Sequence, residues 1–155
     1  MAAPSAHRAW QRLSGTAFGR WLFTRLVCFK APYFGSIRPV FEILEPGRAA
    51  ARMRKRRAVT NHIGTVHAIA MANLCELVAG TLTEVSIPQS MRWIPRGMQI
   101  DYLRKAPTDV RAEGRFPEIT EGEAQDVVVS VDVTDAGGNV VVHADITMYV
   151  SPRKD

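Results

Sequence analysis

The chain has 155 residues, 46% hydrophobic and 23% charged, which suits one globular domain able to bury a core without disulfides or metals. Its apolar runs fall short of the roughly 20 residues that span a bilayer, so no transmembrane segment is expected. The net charge of +5 favours anionic partners: nucleic acid, a membrane surface or a phosphorylated small molecule.

Residues 1–41 carry Arg8, Arg12, Arg20, Arg25, Lys30 and Arg38 and no Asp or Glu. A mitochondrial presequence shares this composition. The competing reading is an amphipathic helix packed on the domain, favoured by the anchors Trp10, Phe18, Trp21 and Phe23. Helix is expected over 5–29, with a break near Ser14-Gly15 and a stop at Ala31-Pro32. Residues 1–34 then form a helical extension and 35–155 a single domain. The two cysteines, Cys28 and Cys75, make no CxxC pair and sit among apolar residues. Buried, reduced thiols and a cytoplasmic location are expected, with one disulfide or mitochondrial import as the alternatives.

Gly35 opens an expected strand from Ser36 to Leu44, and Glu45-Pro46-Gly47 is a turn signal. A second strand is expected over 48–59. There Ala49, Ala51 and Met53 share one face, and Arg48, Arg52, Arg54 and Arg56 the other.

The stretch from Asn61 to Gly80, NHIGTVHAIAMANLCELVAG, predicts a helix with Thr65 as N-cap and Gly80 just past its end. Within it only His67, Asn73 and Glu76 are polar, and a helix apolar on all sides is buried. Strand patterns follow at 98–103, 109–117, 127–133 and 140–148, with a hairpin turn at Asp135–Asn139. The fold class is α+β: a long central helix wrapped by an antiparallel sheet. Such a sheet leaves an edge free, so a homo-oligomer is expected.

Glu76 has no polar face to join and must either find a partner or titrate high, which makes it a candidate for chemistry. Helix-start N–H groups lack internal partners and suit an anion or a polarised carbonyl. His67 reads either as a buried structural histidine or as an acid–base group. His67 and Glu76 lie nine positions apart, hence on opposite faces and roughly 13 Å apart along the axis. If both serve one site, that site is shared between two chains. His62 and His143 have no ligand-spaced partners, so no metal is expected. The run Arg52–Arg57 lacks the interleaved aromatics of a nucleic-acid binder, whereas clustered Arg suits the phosphates of a small molecule.

Asn61, Gly64, Thr65 and His67, with an acid nine residues on at Glu76, resemble hotdog-fold acyl-CoA thioesterases of the phenylacetate-pathway type. AlaProTyrPheGly at 31–35 and IDYLRKA at 100–106 resemble a further hotdog branch. The resemblance implies a dimer or tetramer hydrolysing an acyl-CoA or acyl-carrier thioester. Glu76 would be general base or nucleophile, the Ala68 N–H the oxyanion donor, and Asn61 the orienting amide supplied by the other subunit. Arg54 and Arg56 would meet coenzyme A phosphates, coenzyme A being part of the substrate and no cofactor being required. The family usually reads His-Gly-Gly where this chain reads His67-Ala68-Ile69, and Gly80 stands where some relatives place a Thr. A non-catalytic acyl or acyl-CoA binding module is the alternative; a basic nucleic-acid binder is a third reading.

Overall fold

The computed structural model describes residues 5–153. Two helices, α1 (Ser5–Leu13) and α2 (Ala17–Lys30), are followed by a 3-10 turn at Pro32–Ile37. A hairpin of β1 (Val40–Glu45) and β2 (Arg48–Met53) leads to the long helix α3 (Ala68–Ser86). Four strands close the chain: β3 (Met91–Tyr102), β4 (Val110–Arg115), β5 (Gln125–Asp135) and β6 (Val140–Pro152). All pairings are antiparallel in one six-stranded sheet, ordered β1-β2-β4-β5-β6-β3. The expected central helix against an antiparallel sheet is what the chain forms.

The alternation read in the sequence drives this packing. Val127, Val129, Val131 and Val133 of β5, with Val142, Ala144, Ile146 and Met148 of β6, are buried beneath α3. From the helix, Leu74, Cys75, Leu77, Val78 and Leu82 fill the concave face. Gly114 of β4 lets the sheet approach, since a Cβ there would lie 3.0 Å from Val78 and 3.3 Å from Leu82.

Three local expectations need correction. Gly35 opens no strand: Pro32 starts a 3-10 turn, and β1 begins only at Val40. The second strand stops at Met53 rather than running to 59, because the Lys55 N–H is drawn to Asp109 Oδ1 at 2.8 Å. The central helix does not end at Gly80 but continues to Ser86. At 19 residues it is long and apolar enough, by length and composition, to cross a membrane. The run-length argument from sequence therefore does not hold for it; what accounts for its apolarity is enclosure by the sheet.

The N-terminal helices belong to the same core. Trp10, Phe23 and Phe41 meet edge to face, with ring centroids 5.2 to 6.4 Å apart. The buried Thr24 hydroxyl accepts the Phe41 N–H of edge strand β1 at 3.0 Å and donates to the Arg20 carbonyl at 2.8 Å. Arg25 donates to the Pro39 carbonyl at 2.7 Å. Helix α2 thus caps one sheet edge, which leaves β3 as the edge that no element among the described residues covers. Cys28 and Cys75 are buried free thiols. Burial pushes Cys75 up to about 12 and raises Cys28 as well, so both stay protonated.

Candidate active site

Helix α3 carries the candidate groups, and the structure sorts them into two cavities on different sides of it. The first, about 640 Å3, lies between α1, α2, α3 and β3. Its walls are almost all apolar, including Phe23, Val27, Phe34, Trp93 and Met148. Two carboxylates face it, Glu76 and Glu84. Glu84 is already engaged, its Oε2 accepting from Trp93 Nε1–H at 2.8 Å. Glu76 is half-buried and has no hydrogen bond or ion pair among the described residues. It is therefore the acid left available to a ligand in that cavity.

The second cavity, about 390 Å3, sits at the helix start and is lined by Asn61, Thr65, Ala68, Met71, Arg104 and Lys105 among others. Here the sequence reading misplaced the cap. His67, not Thr65, is the N-cap, with Nδ1 accepting the Ile69 N–H at 3.1 Å. Thr65 is occupied elsewhere, its hydroxyl accepting from Asn61 Nδ2 at 2.9 Å. The His67 side chain is exposed, which removes the buried structural role. The Val66 and His67 N–H groups, expected to be free, donate to the Ala106 and Val59 carbonyls at 2.9 and 2.8 Å. That leaves the Ala68 and Ala70 N–H groups of the first turn with no acceptor among the described residues, and of the two residues Ala68 lines the cavity.

Asn61 is braced by its own loop. Its Oδ1 accepts from the Ile63 and Thr65 N–H groups at 3.2 and 3.1 Å, and one Nδ2 hydrogen goes to Thr65. The remaining Nδ2 hydrogen is available. The loop turns at Gly64, whose φ of +76° a side chain would resist.

Asn61 and Ala68 thus share one cavity, and Glu76 opens into another. Eight residues, roughly 12 Å of helix, separate Ala68 from Glu76. One chain does not bring them together.

The basic residues fall out differently from their sequence pattern. Arg48 and Arg52 do not present a free cationic face. Arg48 is held by Glu113 at 2.8 Å and Arg52 by Glu42 at 3.4 Å, in a network that Arg111 ties together. Arg48 and Arg111 hold the Glu113 carboxyl down at about 2. Arg54 and Arg56 lie beyond β2, in the loop before the 3-10 turn Arg57–Val59. Arg56 donates to the Ser36 carbonyl at 2.5 Å, while Arg54 is exposed. Arg104 and Lys105 at the helix-start cavity were not singled out from the sequence for chemistry. Their signal was two adjacent cations in IDYLRKA, just past the end of the strand pattern 98–103.

Residues 19–150 match the family described as Domain of unknown function (DUF4442). Among solved structures, a structural-genomics target is 42% identical, with 96% of this chain and 98% of that one covered and a TM-score of 0.82. PA5026 from Pseudomonas aeruginosa, described as a probable thioesterase, is 26% identical, with coverage of 83% and 92% and a TM-score of 0.74. Thioesterase HI1161 from Haemophilus influenzae shares the fold at 11% identity, with coverage of 85% and 90% and a TM-score of 0.74. Among curated proteins no relative matches. The chain belongs to the DUF4442 family and carries the hotdog fold of the thioesterases it resembles.

Proposed function

We propose that this protein is a thioesterase that hydrolyses an acyl-CoA or acyl-carrier thioester, with Glu76 as its general base or nucleophile. The observation that carries this reading is Glu76 itself, a carboxylate without a partner at the wall of an apolar cavity. The cavity's size falls within the ~300–1,000 Å3 typical of small-molecule sites. The acyl chain lies against Phe23, Val27 and Trp93, and the thioester carbonyl lies at Glu76.

The reaction consumes one water and yields a carboxylic acid and a thiol. Glu76 takes a proton from water as the water oxygen bonds to the carbonyl carbon. The Ala68 N–H of the partner subunit stabilises the oxyanion, helped by the positive end of the helix dipole, and the partner's Asn61 orients the thioester. The oxyanion then collapses, the C–S bond breaks, and the leaving thiolate takes the proton held by Glu76.

The uncovered sheet edge supports the sharing of residues. On β3, Ile94 is 61% exposed and every residue from Ile94 to Gln99 is open to solvent, although the strand lies at the edge of the sheet that wraps α3. Two chains joined along β3 form one continuous sheet and set one chain's helix start beside the other's Glu76. Arg104 and Lys105, with Arg54, then supply cations for coenzyme A phosphates at the outer end of the site. Arg56 contributes less, being held by Ser36.

A second reading, an acyl-binding module without turnover, is favoured by one feature. Ala68 and the exposed Ile69 place side chains where the phenylacetate-type thioesterases that the chain resembles usually have glycines. Thioester hydrolysis across a coenzyme A panel, wild type against Glu76→Gln, decides between the two. The thioesterase reading expects turnover that Glu76→Gln lowers by about 100-fold or more. Equal rates in both proteins contradict the role of Glu76, and binding without turnover in the wild type supports the module.

A further inference from the structure

Helix α2 is apolar on both sides, and only one side is used. Gly19, Phe23, Thr24 and Cys28 are buried against the domain. On the opposite side Phe18, Trp21, Leu26 and Phe29 form an exposed stripe, with Phe29 86% exposed. Phe18 and Trp21 stack on each other at 5.6 Å while both face solvent. Tyr33, 70% exposed, continues the apolar surface into the following turn. An apolar patch of this kind marks an interaction surface.

The charge around it identifies the partner. The six cations of residues 1–41 meet no acidic residue in that segment. None forms an ion pair among the described residues; Arg20 and Arg25 donate only to the carbonyls of Ser14 and Pro39, which leaves their charge uncompensated. The exposed Lys30 adjoins Phe29 at the end of the stripe, and Arg25, half-buried between Trp21 and Phe29, turns its guanidinium to Pro39. A second copy of this chain docking through the same face would set two acid-free cationic segments against each other. A bilayer surface bearing anionic phospholipid satisfies both features: headgroups take the cations, and the aromatic side chains enter the interface.

We propose that the exposed face of α2 docks on the surface of membranes containing anionic phospholipid. The geometry gives the docking a consequence. Leu26, Phe29 and Lys30 also line the 640 Å3 cavity, so docking sets that cavity's wall at the lipid surface. The binding itself does not depend on catalysis.

The test is cosedimentation of the full chain with two vesicles, phosphatidylcholine alone and phosphatidylcholine with phosphatidylglycerol in equal parts. The wild type is expected to pellet with the anionic vesicles only and to be released by high salt, where the Debye length shrinks to ~3 Å. The double variant Phe18→Ser, Trp21→Ser alters exposed side chains, and thermal unfolding checks its fold. Its partitioning is expected to fall by at least about tenfold, with the mass of the assembly in light scattering unchanged. Equal partitioning of wild type and variant overturns the proposal, as does a wild type that stays in solution with both vesicles. A change in assembly mass in the variant assigns the face to a second copy. Oligonucleotide binding lost in the variant assigns it to nucleic acid. Either result also overturns the membrane assignment.

Discussion

Glu76 and Ala68 are single groups with opposite histories in the sequence. Glu76 stood out because its neighbours on α3 are apolar, and the structure shows where it goes: to a cavity wall, beside a second acid that Trp93 has already taken. The Ala68 N–H was one of several spare helix-start N–H groups until resemblance singled it out, and the structure engages the Val66, His67 and Ile69 N–H groups while leaving those of Ala68 and Ala70. The N-cap was misread because two side chains could serve, Thr65 and His67. Asn61 binding the Thr65 hydroxyl decides it, and no spacing rule reports such a contact. The Ala68 N–H can be removed cleanly. Ala68 is the first helical residue, where proline is tolerated, and His67 at φ −66° and ψ 137° already has the backbone that precedes proline. Ala68→Pro is expected to keep the melting temperature close to wild type and to lower kcat by about 100-fold, as loss of an oxyanion donor does. Unchanged kcat would remove the N–H from the mechanism.

Among the elements, strands and helices with strict periodicity were legible, since β5 and β6 alternate over their length and α1 and α2 break where Ser14-Gly15 says they should. The extent of α3 was not, because Gly80 looks like a helix stop. Its purpose is space: a Cβ at Gly80 would lie 3.0 Å from the Trp93 ring, which its hydrogen bond to Glu84 holds in place. Gly80→Thr is expected to destabilise the fold by about 1–3 kcal/mol in urea unfolding, through overpacking. The further change Trp93→Leu should recover part of that loss; no recovery would show that Trp93 is not the obstacle. On the sheet's other face, the ion-pair network joins β2 to β4 through Glu113 and brings in Glu42 of β1 through Arg111. Its carboxyl is held at about 2 against an ordinary 4.5, so the stabilisation is full above the unfolded value and is lost as pH falls from there through about 2. Over that window the wild type should lose more stability than Glu113→Gln, and at neutral pH the variant should be the less stable protein. Parallel acid unfolding curves for the two would show that Glu113 contributes nothing to this linkage.

For the whole molecule, the sequence carried the layout but not its two boundaries with solvent. That α2 covers the β1 edge depends on Thr24 and Arg25 reaching backbone groups of residues 39–41, contacts invisible to pattern reading. Among the described residues β3 is then the sheet edge that no element covers, the edge proposed above to join two chains. Met98→Glu, an exposed edge position, is expected to shift the protein to monomer in light scattering and to abolish thioester turnover together. An active monomer would separate oligomerisation from the site. The central claim, that each site draws Glu76 from one chain and the Ala68 N–H from the other, has a direct measurement. Glu76→Gln and Ala68→Pro chains are coexpressed with different tags, the mixed assemblies are isolated, and thioester hydrolysis is measured. Each mixed dimer contains one intact site and one doubly altered site, so activity should return to about half the wild-type rate per dimer. Mixed dimers as inactive as either parent would contradict the shared site.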